Sequence, residues 1–90
     1  MIAPARLTEI RDWLHLSQEG MARLLGVSFA SVNRWERGHS SPTGTTIEVY
    51  RALDAVQRQK VSADRVLGGE PLAPGALLHR IFQLAYGGRK

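Results

Sequence analysis

Between Ser17 and Gly38 the chain reads SQEGMARLLGVSFASVNRWERG, two short helical patterns only three residues apart, and nothing else in its 90 residues restricts the fold as strongly. Each pattern opens on a serine able to cap it, Ser17 before Gln18 and Ser28 before Phe29. The link Gly26-Val27-Ser28 is too short for the helices to lie side by side, so they must cross steeply. Gly26 supplies the positive φ that ends the first. Met21, Ala22 and Leu25 form one apolar face of the first helix, whereas in the second only Val32 and Trp35 are spaced to point inward. Phe29, Ala30, Asn33, Arg34 and Arg37 are left on an outward face.

An amide and two guanidinium groups beside small or aromatic apolar groups form a surface with the chemistry that reads base edges in a DNA major groove. The series Ser17-Gln18, Ala22, Leu25-Gly26-Val27-Ser28, Val32, Arg34-Trp35-Glu36 and Arg37-Gly38 resembles the helix-turn-helix of the XRE family, the Cro and lambda-repressor-like DNA-binding domains. That resemblance implies an all-α fold, a lambda-repressor-like helix-turn-helix bundle of about five helices, here with a C-terminal dimerisation helix. It also implies base contacts from the first turn of the second helix and one turn further on, positions that match Phe29, Ala30, Asn33 and Arg34. The family's arginine on the opening helix, paired with a glutamate near the end of the recognition helix, matches Arg11 and Glu36; without the resemblance these would read as two solvated charges. One residue departs from the family pattern: Gly20 stands where a helix former is usual, at a cost of about 1 kcal/mol in a helix interior.

Holding the backbone and reading bases are separate tasks. For the first, the helix start at Ser17 and Gln18 offers unpaired N–H groups and a positive dipole end, with the Gln18 side chain as a further donor. Ser28, Ser31, Arg37, His39, Ser40 and Ser41 rim the second helix and the loop after it, and complete the candidate phosphate contacts. For the second, Arg34 suits guanine O6 and N7 unless it serves a phosphate, and Asn33 suits either adenine or a phosphate. Phe29 and Ala30 either touch a thymine methyl or limit which bases fit.

The rest of the chain reads as support. Pro4 suits the first turn of an opening helix carrying Leu7, Ile10 and Leu14 inward, with Trp13 at the edge of that stripe. After the polar turn 39–44, Thr45 and Glu48 have capping-box spacing for a helix running to about Gln59, with Ile47, Tyr50, Leu53 and Val56 or Val49 closing the core. Ser62 can cap a short helix that Gly68-Gly69 would stop, Pro71 and Pro74 bracket the next boundary, and residues 88–90 belong to a frayed end. From Pro74 to Tyr86 the pattern is helical and broadly apolar. So wide a surface needs covering, by the protein's own core, a membrane surface or a second copy. Core and twofold partner together suit it best, with Leu77, Leu78, Ile81, Phe82, Ala85 and Tyr86 as the expected dimer interface. The division expected is a helix-turn-helix DNA-binding domain over residues 1–59, its motif at 17–38, and an extension over 60–90 within the same compact domain.

Twelve Lys and Arg against eight Asp and Glu give a formal charge of +4, which favours a polyanionic partner. Without cysteine there are no disulfides or thiolate metal ligands. His15, His39 and His79 lie far apart with no acidic cluster beside them, so no metal or cofactor is expected. No nucleophile and base or pair of carboxylates suggests an enzyme. The start MIAPAR lacks a signal-peptide apolar run, and no stretch reaches the ~20 apolar residues of a membrane span. The expectation is a soluble cytoplasmic transcriptional regulator, a homodimeric repressor on double-stranded DNA. The alternative is an antitoxin-type protein that neutralises a protein partner and represses its own operon.

Overall fold

Four successive helix ends in the computed structural model, which describes residues 2–69 and 72–87, are closed by one device. Helices α1 (Pro4–Trp13), α2 (Gln18–Leu25), α3 (Phe29–Glu36) and α4 (Gly44–Arg58) are each followed by a residue with positive φ: His15 at 60°, Gly26 at 74°, Gly38 at 79° and Lys60 at 64°. The next residue then donates its N–H five residues back, Leu16 to Arg11 (3.2 Å), Val27 to Ala22 (3.0 Å), His39 to Arg34 (2.9 Å) and Val61 to Val56 (3.4 Å). These bonds satisfy carbonyls that a helix end leaves orphaned, and they reverse the chain sharply enough for short helices to pack across one another. Two of the four left-handed residues are glycines visible in the sequence; His15 and Lys60 carry no such signal.

The helix starts follow the serines. Ser17 Oγ accepts from the Gly20 N–H (3.0 Å) and Ser28 Oγ from the Ser31 N–H (3.1 Å). Gly20 thus lies in the first turn of α2 rather than deep in the helix, and a Cβ there would stand 3.3 Å from Leu16 Cδ2. Glycine lets Leu16 lie over α2, which accounts for the departure from the family pattern. The capping box expected at Thr45 and Glu48 does not form: α4 begins earlier, at Gly44, with Thr43 before it and no side-chain cap. Gly44, at φ +60°, and the buried Pro42 bring the chain into the helix before the Thr45 hydroxyl is needed.

Helix α5 (Ala63–Leu67) and helix α6 (Pro74–Phe82) complete an all-α fold of six helices, with no strand among the described residues. The α-helical hydrogen bonding expected to continue to Tyr86 gives way at Gln83 to a π-helical turn, Gln83–Gly87. Gln59 Nε2 donates to the Ala85 carbonyl in that turn (2.9 Å), tying it to the end of α4. Arg80 closes α5 by donating to the carbonyls of Val66 (3.1 Å) and Gly68 (3.0 Å). Pro71 and the tail at residues 88–90 lie outside the described residues.

One core joins all six helices. Leu7 and Ile10 of α1, Met21 of α2, Val32 of α3, Leu53 of α4, Val66 of α5 and Ile81 of α6 are fully buried together. Val49 and Val56, between which the sequence pattern did not choose, are both inside. Each such side chain contributes about 1.5–3 kcal/mol on leaving water. Ile81 and Ala85, expected at a dimer interface, are likewise spent in this core and are unavailable to a second chain. A wide apolar helix face lying on α4 gives its central residues to its own domain first.

A left-handed conformation costs a non-glycine residue about 1–2 kcal/mol, of which glycine recovers all but the 0.4–1 kcal/mol lost to its freer unfolded chain. Replacing the exposed Lys60 by Gly is therefore expected to raise stability by roughly 0.5–1 kcal/mol in urea denaturation. A loss of stability would show that the α4 end is not held in this conformation.

Candidate nucleic-acid interface

Helix α3 is only eight residues long, too short to stand alone, and it is held from beneath and from its end. Beneath, Val32 is fully buried and Trp35 packs edge-on against Tyr50, with ring centroids 6.3 Å apart and planes at 82°. At the end, Glu36 gathers polar groups from two other helices. Its carboxylate accepts from Arg11 Nε (2.7 Å), Arg11 Nη2 (2.9 Å), Gln18 Nε2 (3.0 Å) and Thr8 Oγ1 (3.2 Å). Arg11 also donates through Nη1 to the Leu16 carbonyl (3.0 Å), which fixes the link between α1 and α2. The side chains of the pair are 16% and 5% exposed, so this is a largely desolvated ion pair rather than two solvated charges.

Burial by itself would push the Glu36 carboxyl up; the hydrogen bonds from Arg11, Gln18 and Thr8 outweigh it and hold the group below the ordinary glutamate range. The Glu36 hydrogen bond in turn holds the Arg11 guanidinium above its ordinary value, against the burial that opposes it. Asp54 on α4 behaves similarly. Burial raises it, but bonds from Arg58 Nε (2.9 Å) and Arg6 Nε (2.7 Å) prevail and keep it low. This second cluster ties α1 to α4 and carried no pattern that sequence reasoning used.

The other face of α3 is open. Phe29 is 50% exposed, Ala30, Arg34 and Arg37 are exposed, and Asn33 is half-buried. Among the described residues neither Arg34 nor Arg37 has a carboxylate within ion-pair distance, whereas Arg6, Arg11, Arg51 and Arg58 each do. Ser17, Ser28, His39, Ser40 and Ser41 are exposed around this face and Ser31 is half-buried beside it. Ser28 and Ser31 share a hydroxyl hydrogen bond of 3.0 Å. The structure therefore brings the candidate contacts of α3, its flanking loop and the start of α2 to one side.

Gln18 is the exception to a simple outward placement. Besides its bond to Glu36, its Oε1 accepts from Asn33 Nδ2 (3.1 Å), so the side chain expected as a free phosphate donor is engaged at both ends. The signal for this was present in hindsight: Gln18, Asn33 and Glu36 are all polar residues on the facing flanks of α2 and α3, but their contact depends on the crossing angle.

Residues 7–50 match the family described as Helix-turn-helix, a segment running from α1 through the first half of α4. The chain carries an XRE-family helix-turn-helix domain. Domains of this family are DNA-binding transcription regulators, and the exposed face of α3 is where such a domain carries its cationic groups here. No curated protein and no solved structure matches the chain. Among the described residues of the XRE protein no helix is long and apolar enough to cross a membrane, and no three His, Asp or Glu side chains gather as a metal site.

Since Glu36 and Asp54 are held low in the folded state, their stabilising share is present above the ordinary carboxyl range of about 4 and is lost as pH falls through the depressed folded values. Thermal melting between pH 7 and pH 3 is expected to show a steep loss of stability below about pH 4. Glu36→Gln should be less stable at neutrality and lose less on acidification; an unchanged acid slope would remove Glu36 from the cause.

Proposed function

We propose that this protein is a homodimeric transcriptional repressor that inserts α3 into the DNA major groove and reads an inverted repeat, acting in the cytoplasm. The observation that carries this reading is the pairing of charges. Arginines that bind the helices together are met by carboxylates, while Arg34 and Arg37 on the open face of α3 are not. A cation left without an internal partner on a convex helix face suits a phosphate or a guanine edge.

In this reading Phe29, Ala30, Asn33 and Arg34 face bases. The backbone N–H groups at the start of α2, with Ser17, Ser28, Ser31, Arg37, His39, Ser40 and Ser41, hold phosphates. Because the Gln18 side chain is occupied between Glu36 and Asn33, the donors at that helix start are the N–H groups of Gln18 and Glu19, which no helix satisfies internally. Phe29 and Ala30 supply an apolar surface for a thymine methyl. A twofold pair would place its recognition helices about 34 Å apart, one DNA turn. The surface for that pairing is what α6 and the π turn leave uncovered: Leu77, Leu78, Phe82 and Tyr86, the last 52% exposed and stacked on Phe82 at 6.3 Å.

Selection of bound DNA from a random pool tests the reading as a whole, with an inverted repeat as the expected product and uniform weak binding as the result that rejects it. Arg34→Ala is expected to relax preference at one base pair of each half-site by roughly 1–3 kcal/mol in competition titrations. Sedimentation equilibrium tests the assembly: the native chain should be dimeric, and Tyr86→Asp should shift it to monomer without lowering its melting temperature. A monomer that copurifies with a second protein through this face would instead follow the antitoxin reading.

A further inference from the structure

Glu36 does more than hold α3 down. A carboxylate has no hydrogen to donate, so Gln18 can meet it only through its NH2 group, as the 3.0 Å contact from Nε2 shows. A primary amide is planar and has its carbonyl on the opposite side. Gln18 Oε1 is thereby turned toward α3, where Asn33 Nδ2 donates to it at 3.1 Å. Polarity is passed along three side chains on two helices. At its end the Asn33 amide has one N–H committed, and its unspent groups are the carbonyl Oδ1 and the second N–H.

On the reading that α3 enters the major groove, we infer that Gln18 is a positioning residue, holding Asn33 with its carbonyl toward the DNA so that this position selects a base with an exocyclic amino group, adenine first. Adenine presents the N6 amino donor beside the N7 acceptor, which matches an acceptor and one remaining N–H. Cytosine offers the N4 amino donor without the neighbouring acceptor. Guanine O6 and N7 and thymine O4 are all acceptors, and guanine or thymine would set oxygen against Oδ1. An unrestrained asparagine turns its amide over and accepts either arrangement. The contact with Gln18 removes that freedom, because the flipped amide would oppose Oδ1 to Gln18 Oε1. Arg34, the next residue on the helix and a donor only, suits guanine, so the two neighbours divide the purines between them.

The test measures base preference, using full-length protein and a DNA site selected from a random pool. Each position of the half-site is changed in turn to the other three bases, and fluorescence anisotropy is read for the native chain, Gln18→Met, Asn33→Ala and the double variant. The native chain should favour adenine over guanine at one position of each half-site by about tenfold. Gln18→Met and Asn33→Ala should each bring that ratio close to one, and the double variant should go no further than either. Gln18→Ala serves as a second variant should methionine disturb the fold, with thermal melting as the control. Uniform weakening of every sequence by Gln18→Met, with the adenine preference intact, would make Gln18 a phosphate contact and overturn the inference; so would additive losses or a native preference for guanine at that position. The recognition-helix reading fails separately: in that case Asn33→Ala and Arg34→Ala would both leave every sequence bound as before, whereas failure of the positioning role alone leaves those two variants altered and Gln18→Met not.

Discussion

The ion pair between Arg11 and Glu36 is the contact on which the open face of α3 depends. Two buried anchors, Val32 and Trp35, cannot by themselves fix the rotation and tilt of an eight-residue helix. Glu36 adds bonds from Thr8 and Arg11 of α1 and from Gln18 of α2, so that one carboxylate is shared by three helices. Desolvating two charges consumes most of what their attraction provides, and such pairs are poor sources of net stability. What this one supplies is geometry. Removal of either charge would strand the other in a site that is nearly closed to water.

The arrangement also sorts the positive charge of the chain. Arg6 and Arg58 flank Asp54, Arg11 meets Glu36, and Arg80 is used on backbone carbonyls at the end of α5. These cations join elements and are neutralised locally. Arg34 and Arg37 join nothing among the described residues and face solvent from the helix most exposed to a partner. A modest net charge of +4 thus becomes directional, because the carboxylates are placed against the structural arginines and not against those of α3. A phosphate backbone responds to this local field far more than to the total.

The C-terminal segment divides one apolar helix between two duties. Ile81 and Ala85 enter the core beside α4, and the shift to π-helical geometry at Gln83 lets Gln59 reach the Ala85 carbonyl. Phe82 and Tyr86 remain stacked on the outside with planes at 28°. Residues 60–87 are therefore bound into the same hydrophobic core as the helix-turn-helix rather than trailing from it.

Much of this was legible along the chain because the signals are local. Ser17 and Ser28 announced helix starts, Gly26 and Gly38 the left-handed ends, and the spacing of Val32 and Trp35 told the buried face of α3 from the open one. Other features were not legible, each for a physical reason. His15 and Lys60 take a backbone conformation that their side chains do not favour, held by the packing of the turns around them. The early start of α4 follows from the buried Pro42 and the φ of Gly44, not from the nearest capping pair. A thirteen-residue apolar pattern from Pro74 to Tyr86 showed that α6 must be covered, but which of its residues met α4 was fixed only when the helices crossed. The sequence by itself determined where the helices lie, which face of each is apolar, and the family of the DNA-binding motif. Only the tertiary structure decided which polar groups meet, as in the line from Arg11 through Glu36 and Gln18 to Asn33, because hydrogen bonds between helices depend on crossing angles that no single helix encodes.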